Sequence, residues 1–160
     1  MNPTPDPLHP PKRVLIMGSQ ARAMASFWQT LIKSLVRRGH TVICLNPTSK
    51  DRADQEAART LEALGARAVF VPMQRKGMNP LADLAAIAAL RRIFRAERPD
   101  VFFGYAIKPV IYGTLAAALA RVPERYAMIT GLGYAFEADT PLKQLLNKVA
   151  SALYRLALSR

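Results

Sequence analysis

The sequence predicts an α/β domain, a Rossmann-like doubly wound parallel sheet of five or more strands. Three observations predict it. Short apolar runs alternate with helical patterns five times between Arg13 and the end of the chain. The runs are continuously apolar rather than alternating, as strands covered on both faces are. Each connection carries a helix, so right-handed crossovers build βαβ units, with an expected strand order of 3-2-1-4-5.

The elements follow in order. Arg13 to Met17 is the first strand, followed by Gly18. Trp28, Leu31, Ile32 and Leu35 recur at i, i+3, i+4 and i+7, one face of a helix, and Gly39 ends it at a C-cap position. Thr41 to Leu45 is the second strand, and a polar helix runs from about Asp51 to Leu64, closed by Gly65. Ala68 to Val71 is the third strand, stopped by Pro72. Pro80 stands where a helix begins, and Leu84, Ile87, Leu90 and Phe94 are its expected buried stripe. After Pro99, Val101 to Phe103 make the fourth strand. Pro109 starts a helix striped by Ile111, Leu115 and Leu119, and Tyr126 to Ile129 form the fifth strand. A last helix carries Leu142, Leu145, Leu146, Val149, Leu153 and Leu156 in register.

A chain of 160 residues with 51% hydrophobic content can bury one proper core. Five prolines crowd the first eleven residues, so residues 1–12 are expected to be a disordered tail and residues 13–160 the folded domain. The tail lacks the apolar stretch of a secretory signal. The single Cys44 excludes an intrachain disulfide; it lies in an apolar strand and reads as a buried structural thiol in a reducing compartment. No segment reaches the roughly 18 apolar residues that span a bilayer. Charge is the strongest compositional signal: 23 Lys and Arg against 11 Asp and Glu give a net +12. Such a field favours anionic partners, whether nucleic acid, acidic lipid or a phosphorylated substrate, without choosing among them.

In open α/β sheets ligands gather at the carboxyl ends of the strands, and this sorts the candidates. The first loop, GSQARA, has one glycine where a dinucleotide fingerprint needs three, which disfavours NAD or FAD. One glycine still lets a diphosphate approach a helix amino terminus, so Gly18 and Ser19 are candidates, beside the reading of an ordinary turn. Lys108 opens a helix against its dipole, at a penalty of about 0.3–1 kcal/mol, so it either meets an anion or is simply solvated. Arg22, Lys50, Arg52, Arg75, Lys76 and Lys143 also fall on or near this edge, but a basic set at least as large, including Arg98 and Arg121, falls on the other. The carboxyl-edge acids Asp51, Asp54, Glu137 and Asp139 read as caps or solvated charges. His9 in the tail and His40 at the far edge build neither a Ser-His-Asp set nor, with one cysteine, a zinc site. No metal or cofactor is expected.

GHTVICLNP, PMQRKGMNPLADL, RPDVFFGYAIKPVIYGTLAA, VPERYAMITGLGYAFE and LYRLAL carry a resemblance. From Arg13 onward the chain resembles the amino-terminal half of family-4 bacterial glycosyltransferases of GT-B fold, the branch that extends lipid-linked saccharides in O-antigen, capsule and protein-glycan pathways. The resemblance implies an acceptor-binding domain, with a nucleotide sugar, UDP-linked by expectation, held mainly by a second Rossmann-like domain. It also implies a cytoplasmic enzyme, peripheral at the inner face of the bacterial membrane and bound to its anionic surface, with a polyprenyl-diphosphate-linked saccharide as acceptor and no nucleic-acid partner. TGLG becomes a cleft loop: Gly131, Leu132, Gly133 and Tyr134 join Gly18, Ser19 and Lys108 as expected substrate contacts, and no catalytic residue is assigned. Many relatives carry a histidine just before the lysine, where this chain has Ile107, so a histidine's role does not transfer. The chain stops at Arg160 without the donor half or its paired-glutamate motif, which is expected of a domain excised from a longer enzyme. Two other readings compete: a UDP-sugar 2-epimerase-like domain of the same fold, and a basic nucleic-acid-binding module.

Overall fold

The computed structural model describes residues 10–74 and 79–130. Five parallel strands lie in the order β3-β2-β1-β4-β5: β1 is Arg13–Met17, β2 Thr41–Pro47, β3 Arg67–Val71, β4 Val101–Tyr105 and β5 Glu124–Met128. Class and strand order are those expected from the sequence. Leu15 and Ile16 of β1 are fully buried on opposite faces, in two separate clusters, which is why the strand reads as unbroken apolar sequence. One cluster joins Leu15, Met17, Ile43 and Leu45 to Leu90, Phe94, Val110 and Ala116; the other joins Ile16, Val42 and Cys44 to Met24, Ile32 and Leu61. Burial pushes the Cys44 thiol up to about 12, so it is un-ionised at neutral pH and structural.

The helices are α1 (Ala21–Phe27), α2 (Gln29–Arg37), α3 (Arg52–Ala63), α4 (Pro80–Glu97) and α5 (Thr114–Leu119), with a π-helical turn over Pro109–Gly113 leading into α5. The caps are local and legible. Asp51 accepts from the Ala53 amide to start α3, Asn79 accepts from the Ala82 amide to start α4, and Pro80 occupies the first turn. Gly39 and Gly65 hold φ of +83° and +89°, the left-handed stop that glycine adopts without steric cost.

Three expected stripe residues are on the outside. Leu84 is 65% exposed because the buried face of α4 runs through Asp83, Ala86, Leu90 and Phe94. Alanine brings that helix close to the sheet, and Leu84 lies one residue round from the contact. Leu31 is exposed beside the buried Ile32, and what the sequence reads as one helix is two, broken at Trp28. Leu119 is exposed at the end of α5, after a π turn that inserts an extra residue into the helical register, while Leu115 still packs against the core.

Lys12, expected in the tail, is tied down: its amide donates to His40 Nδ1 and its ammonium pairs with Glu124 at 2.5 Å. Residues 1–9, Arg75, Lys76, Glu137, Asp139, Lys143 and the last leucine stripe lie outside the described residues.

Candidate functional site at the carboxyl edge

Register places the candidates. Met17 pairs with Gly104, so the loop leaving β1 at Gly18 abuts the one leaving β4 at Tyr105. This is the switch point of the order 3-2-1-4-5, where the chain turns from one side of β1 to the other and the diverging crossovers open a crevice. Gly18, Ser19 and Lys108 therefore share one edge. Gly131, Leu132, Gly133 and Tyr134 lie outside the described residues.

Gly18 is buried, and its amide donates to the Leu45 carbonyl at 3.1 Å. A Cβ added there would stand 2.2 Å from the Tyr105 hydroxyl and 2.4 Å from the ring carbon that bears it. The ring cannot withdraw easily, because Trp28 packs on it with centroids 5.1 Å apart. The glycine is thus required by the tyrosine beneath it. Gly18→Ala should cost about 1–3 kcal/mol through overpacking. Tyr105→Leu should make the two substitutions sub-additive by at least about 1 kcal/mol in a denaturation cycle, whereas additive losses would mean that the contact does not govern the loop.

Lys108 is neither solvated nor free. Its ammonium lies 3.0 Å from Asp83 Oδ1, both side chains only 13% exposed, and 5.6 Å from the centre of the Tyr112 ring. The other Asp83 oxygen accepts from the Asn79 amide at 3.2 Å. Burial first, and the neighbouring Asp83 carboxylate second, raise the Tyr112 phenol above its ordinary range, so it remains protonated. Sequence reasoning does not single out Asp83. Its signal is faint: an acid in the first turn of a helix, 25 residues before the lysine it meets.

The other charges are mostly matched. Arg22 lies 3.6 Å from Asp51, and Arg52 pairs with Glu56; exposed pairs like these add little stability. Asp51 caps α3 as expected. Asp54 does not fit either expected reading: it is 1% exposed and accepts from the Arg22 amide at 3.3 Å, pinning α1 against α3. His40 sits at the amino edge, as the sequence predicted. Among the described residues no group of three His, Cys, Asp or Glu side chains is placed to hold a metal ion. This edge carries a glycine turn after β1 and, past the end of β4, a Lys108 ammonium whose position Asp83 fixes and whose charge it balances.

Comparison with known proteins gives this edge a context. The family model described as glycosyl transferase 4-like domain matches residues 22–160. N,N'-diacetylbacillosaminyl-diphospho-undecaprenol alpha-1,3-N-acetylgalactosaminyltransferase of Campylobacter jejuni is 27% identical over 146 residues, covering 91% of this chain and 37% of that protein. MurG of Acinetobacter baumannii aligns with a TM-score of 0.53 at 22% identity, over 73% of this chain and 34% of that one. A putative UDP-N-acetylglucosamine 2-epimerase from Listeria monocytogenes aligns with a TM-score of 0.54 at 11% identity, over 89% and 38%. Likenesses this distant establish the shared fold and do not separate transferase from epimerase. The chain spans little more than a third of the length of each of these proteins.

Proposed function

The chain belongs to the glycosyl transferase 4-like domain family, and from that premise we propose that it forms the acceptor side of a glycosyltransferase. The whole enzyme transfers a sugar from a nucleotide donor, UDP-linked, to a polyprenyl-diphosphate-linked saccharide in surface polysaccharide or glycan synthesis. The observation that carries this reading is Lys108, held by Asp83 at the same carboxyl edge as Gly18, where a diphosphate can meet a fixed positive charge. The Campylobacter relative, whose name specifies a diphospho-undecaprenol-linked acceptor, supports that substrate class.

In this reading Gly18, Ser19 and Lys108, with Gly131, Leu132, Gly133 and Tyr134, contact the acceptor. Lys108 orients the diphosphate and offsets its charge. A second domain holds the nucleotide sugar, and neither a metal nor a nucleic acid takes part. Titrating the chain with a short-chain polyprenyl-diphosphate-linked saccharide should give saturable binding, at least tenfold tighter than binding of UDP-sugars and weakened by Lys108→Gln. Tighter binding of UDP-sugars would contradict the acceptor assignment.

Peripheral membrane attachment belongs to the same proposal. No helix of the described residues is long and apolar enough to cross a membrane. Yet Leu81 is 81% and Leu84 65% exposed at the start of α4, at the edge proposed to receive a lipid-linked substrate. With a net charge of +12, binding to anionic vesicles should fall steeply as salt rises and fall further in Leu81→Glu/Leu84→Glu. Equal binding to neutral vesicles would remove the electrostatic part of the proposal.

A further inference from the structure

The opposite edge of the sheet, roughly 15 Å away along five-residue strands, carries a feature that acceptor binding does not use. A cleft of about 510 Å³ opens between the ends of α4 and α5, lined by Arg95, Arg98 and Arg121 over Phe94, Pro99 and Val122. A smaller hollow of about 270 Å³ shares Arg98 and Asp100 with it. The backbone is unusual here. Four helices end near this edge through a left-handed residue. Two use glycine, Gly39 and Gly65; the other two use arginine, Arg98 at φ 46° and Arg121 at φ 61°. Both arginines face the cleft.

Left-handed backbone is unfavourable for a residue with a Cβ, and such outliers gather where a side chain is needed for function. A cation at a helix carboxyl end does offset the dipole. That accounts for the sign of the charge but not for its placement, because neither guanidinium turns back to a helix carbonyl. Arg13 does so, donating to the Glu97 carbonyl at the end of α4. The guanidinium groups of Arg95, Arg98 and Arg121 have no ion pair or hydrogen bond among the described residues. Glu97 pairs with Arg67 and Glu124 with Lys12. Asp100, which also lines the cleft, accepts from the Arg13 amide at 2.7 Å and keeps its charge, so the lining carries three cations and one anion.

We infer that this cleft is a second binding site, for a soluble phosphate-bearing small molecule, independent of the acceptor side. Three guanidinium groups, unpaired among the described residues, supply fork-shaped donors that match phosphate oxygens. The apolar wall of Phe94, Pro99 and Val122 takes the organic part, and the volume suits a ligand of metabolite size.

Inorganic pyrophosphate is the probe, titrated into the full chain at about 0.15 M salt, where loose surface attraction is screened. One-to-one binding is expected, weakened at least tenfold in Arg98→Gly/Arg121→Gly. Glycine relieves the left-handed strain, so that variant should melt at the same temperature or higher. Arg98→Asn/Arg121→Asn, with a residue that tolerates the same backbone, provides a second route to the same test. Arg37→Gln/Arg59→Gln removes two exposed charges outside the cleft and should leave binding unchanged. The inference is overturned if the wild-type chain does not bind pyrophosphate, if the cleft variants still bind it, or if the control pair loses as much affinity. It is equally overturned if the cleft variants lose only attachment to phosphatidylglycerol vesicles, since the source would then be a lipid headgroup.

Discussion

Asp83→Ala is expected to destabilise the domain by about 2–4 kcal/mol. The substitution leaves the Lys108 ammonium, 13% exposed, facing only the ring of Tyr112 among the described residues, and an unpartnered charge in such a place is expensive. It also removes the acceptor for the Asn79 amide at the start of α4. Lys108→Ala should be milder, about 1–2 kcal/mol, because Asp83 keeps that amide. The pair thus has an asymmetric signature: losing the acid hurts more than losing the base. Asp83→Ala/Lys108→Met, which removes both charges and retains apolar volume, should recover part of the loss. Urea denaturation of the four proteins checks this. If Lys108→Ala is the more damaging single change, the lysine is chiefly structural and its role in substrate binding fails with it.

The second large effect concerns activity. These 160 residues alone should fold and melt cooperatively yet give no detectable sugar transfer. Rate enhancement in group transfer depends on holding two reactants in register, and effective molarities of about 10⁵–10⁸ M vanish when one partner is unheld. The Campylobacter relative, of which the chain matches 37%, is long enough to hold a second domain of similar size. Supplying the remainder of the whole protein, in one chain or as a separate one, should restore transfer by at least about 10⁴-fold. Robust transfer by the 160 residues alone would refute the division of labour between acceptor and donor sides.

The strands and their order were legible because buried parallel strands leave a simple trace, unbroken apolar runs such as Val14–Met17 and Val42–Leu45. The helix ends at Gly39 and Gly65, the cap at Asp51 and the first-turn Pro80 were legible for a similar reason, since each is a local property of the chain. Helix faces were harder. In α4 the contact is made partly by Ala86, whose small side chain gives periodicity little amplitude, and Leu84 drew the stripe one residue round. The π turn at Pro109–Gly113 leaves no mark in the apolar pattern, so Leu119 was placed inside.

The site divides along the same line. Gly18 and Lys108 stood out as a turn glycine and a cation working against a helix dipole. What holds each of them, Tyr105 and Asp83, is distant in sequence and becomes visible only when the crossovers close. The arginines at the amino edge were counted in the sequence as charge. Their left-handed backbone, which separates Arg98 and Arg121 from the rest, is a property of the fold.

The most direct test of the acceptor-side assignment is to map the ligand onto the chain by amide NMR. A short-chain polyprenyl-diphosphate-linked saccharide is titrated against the isotope-labelled protein, with UDP-sugar in a parallel series. The account predicts saturable shifts from the saccharide at Gly18, Ser19 and Lys108, lost in Lys108→Gln, while UDP-sugar leaves those amides in place. Shifts from UDP-sugar at the same three residues, with none from the lipid-linked saccharide, would contradict it.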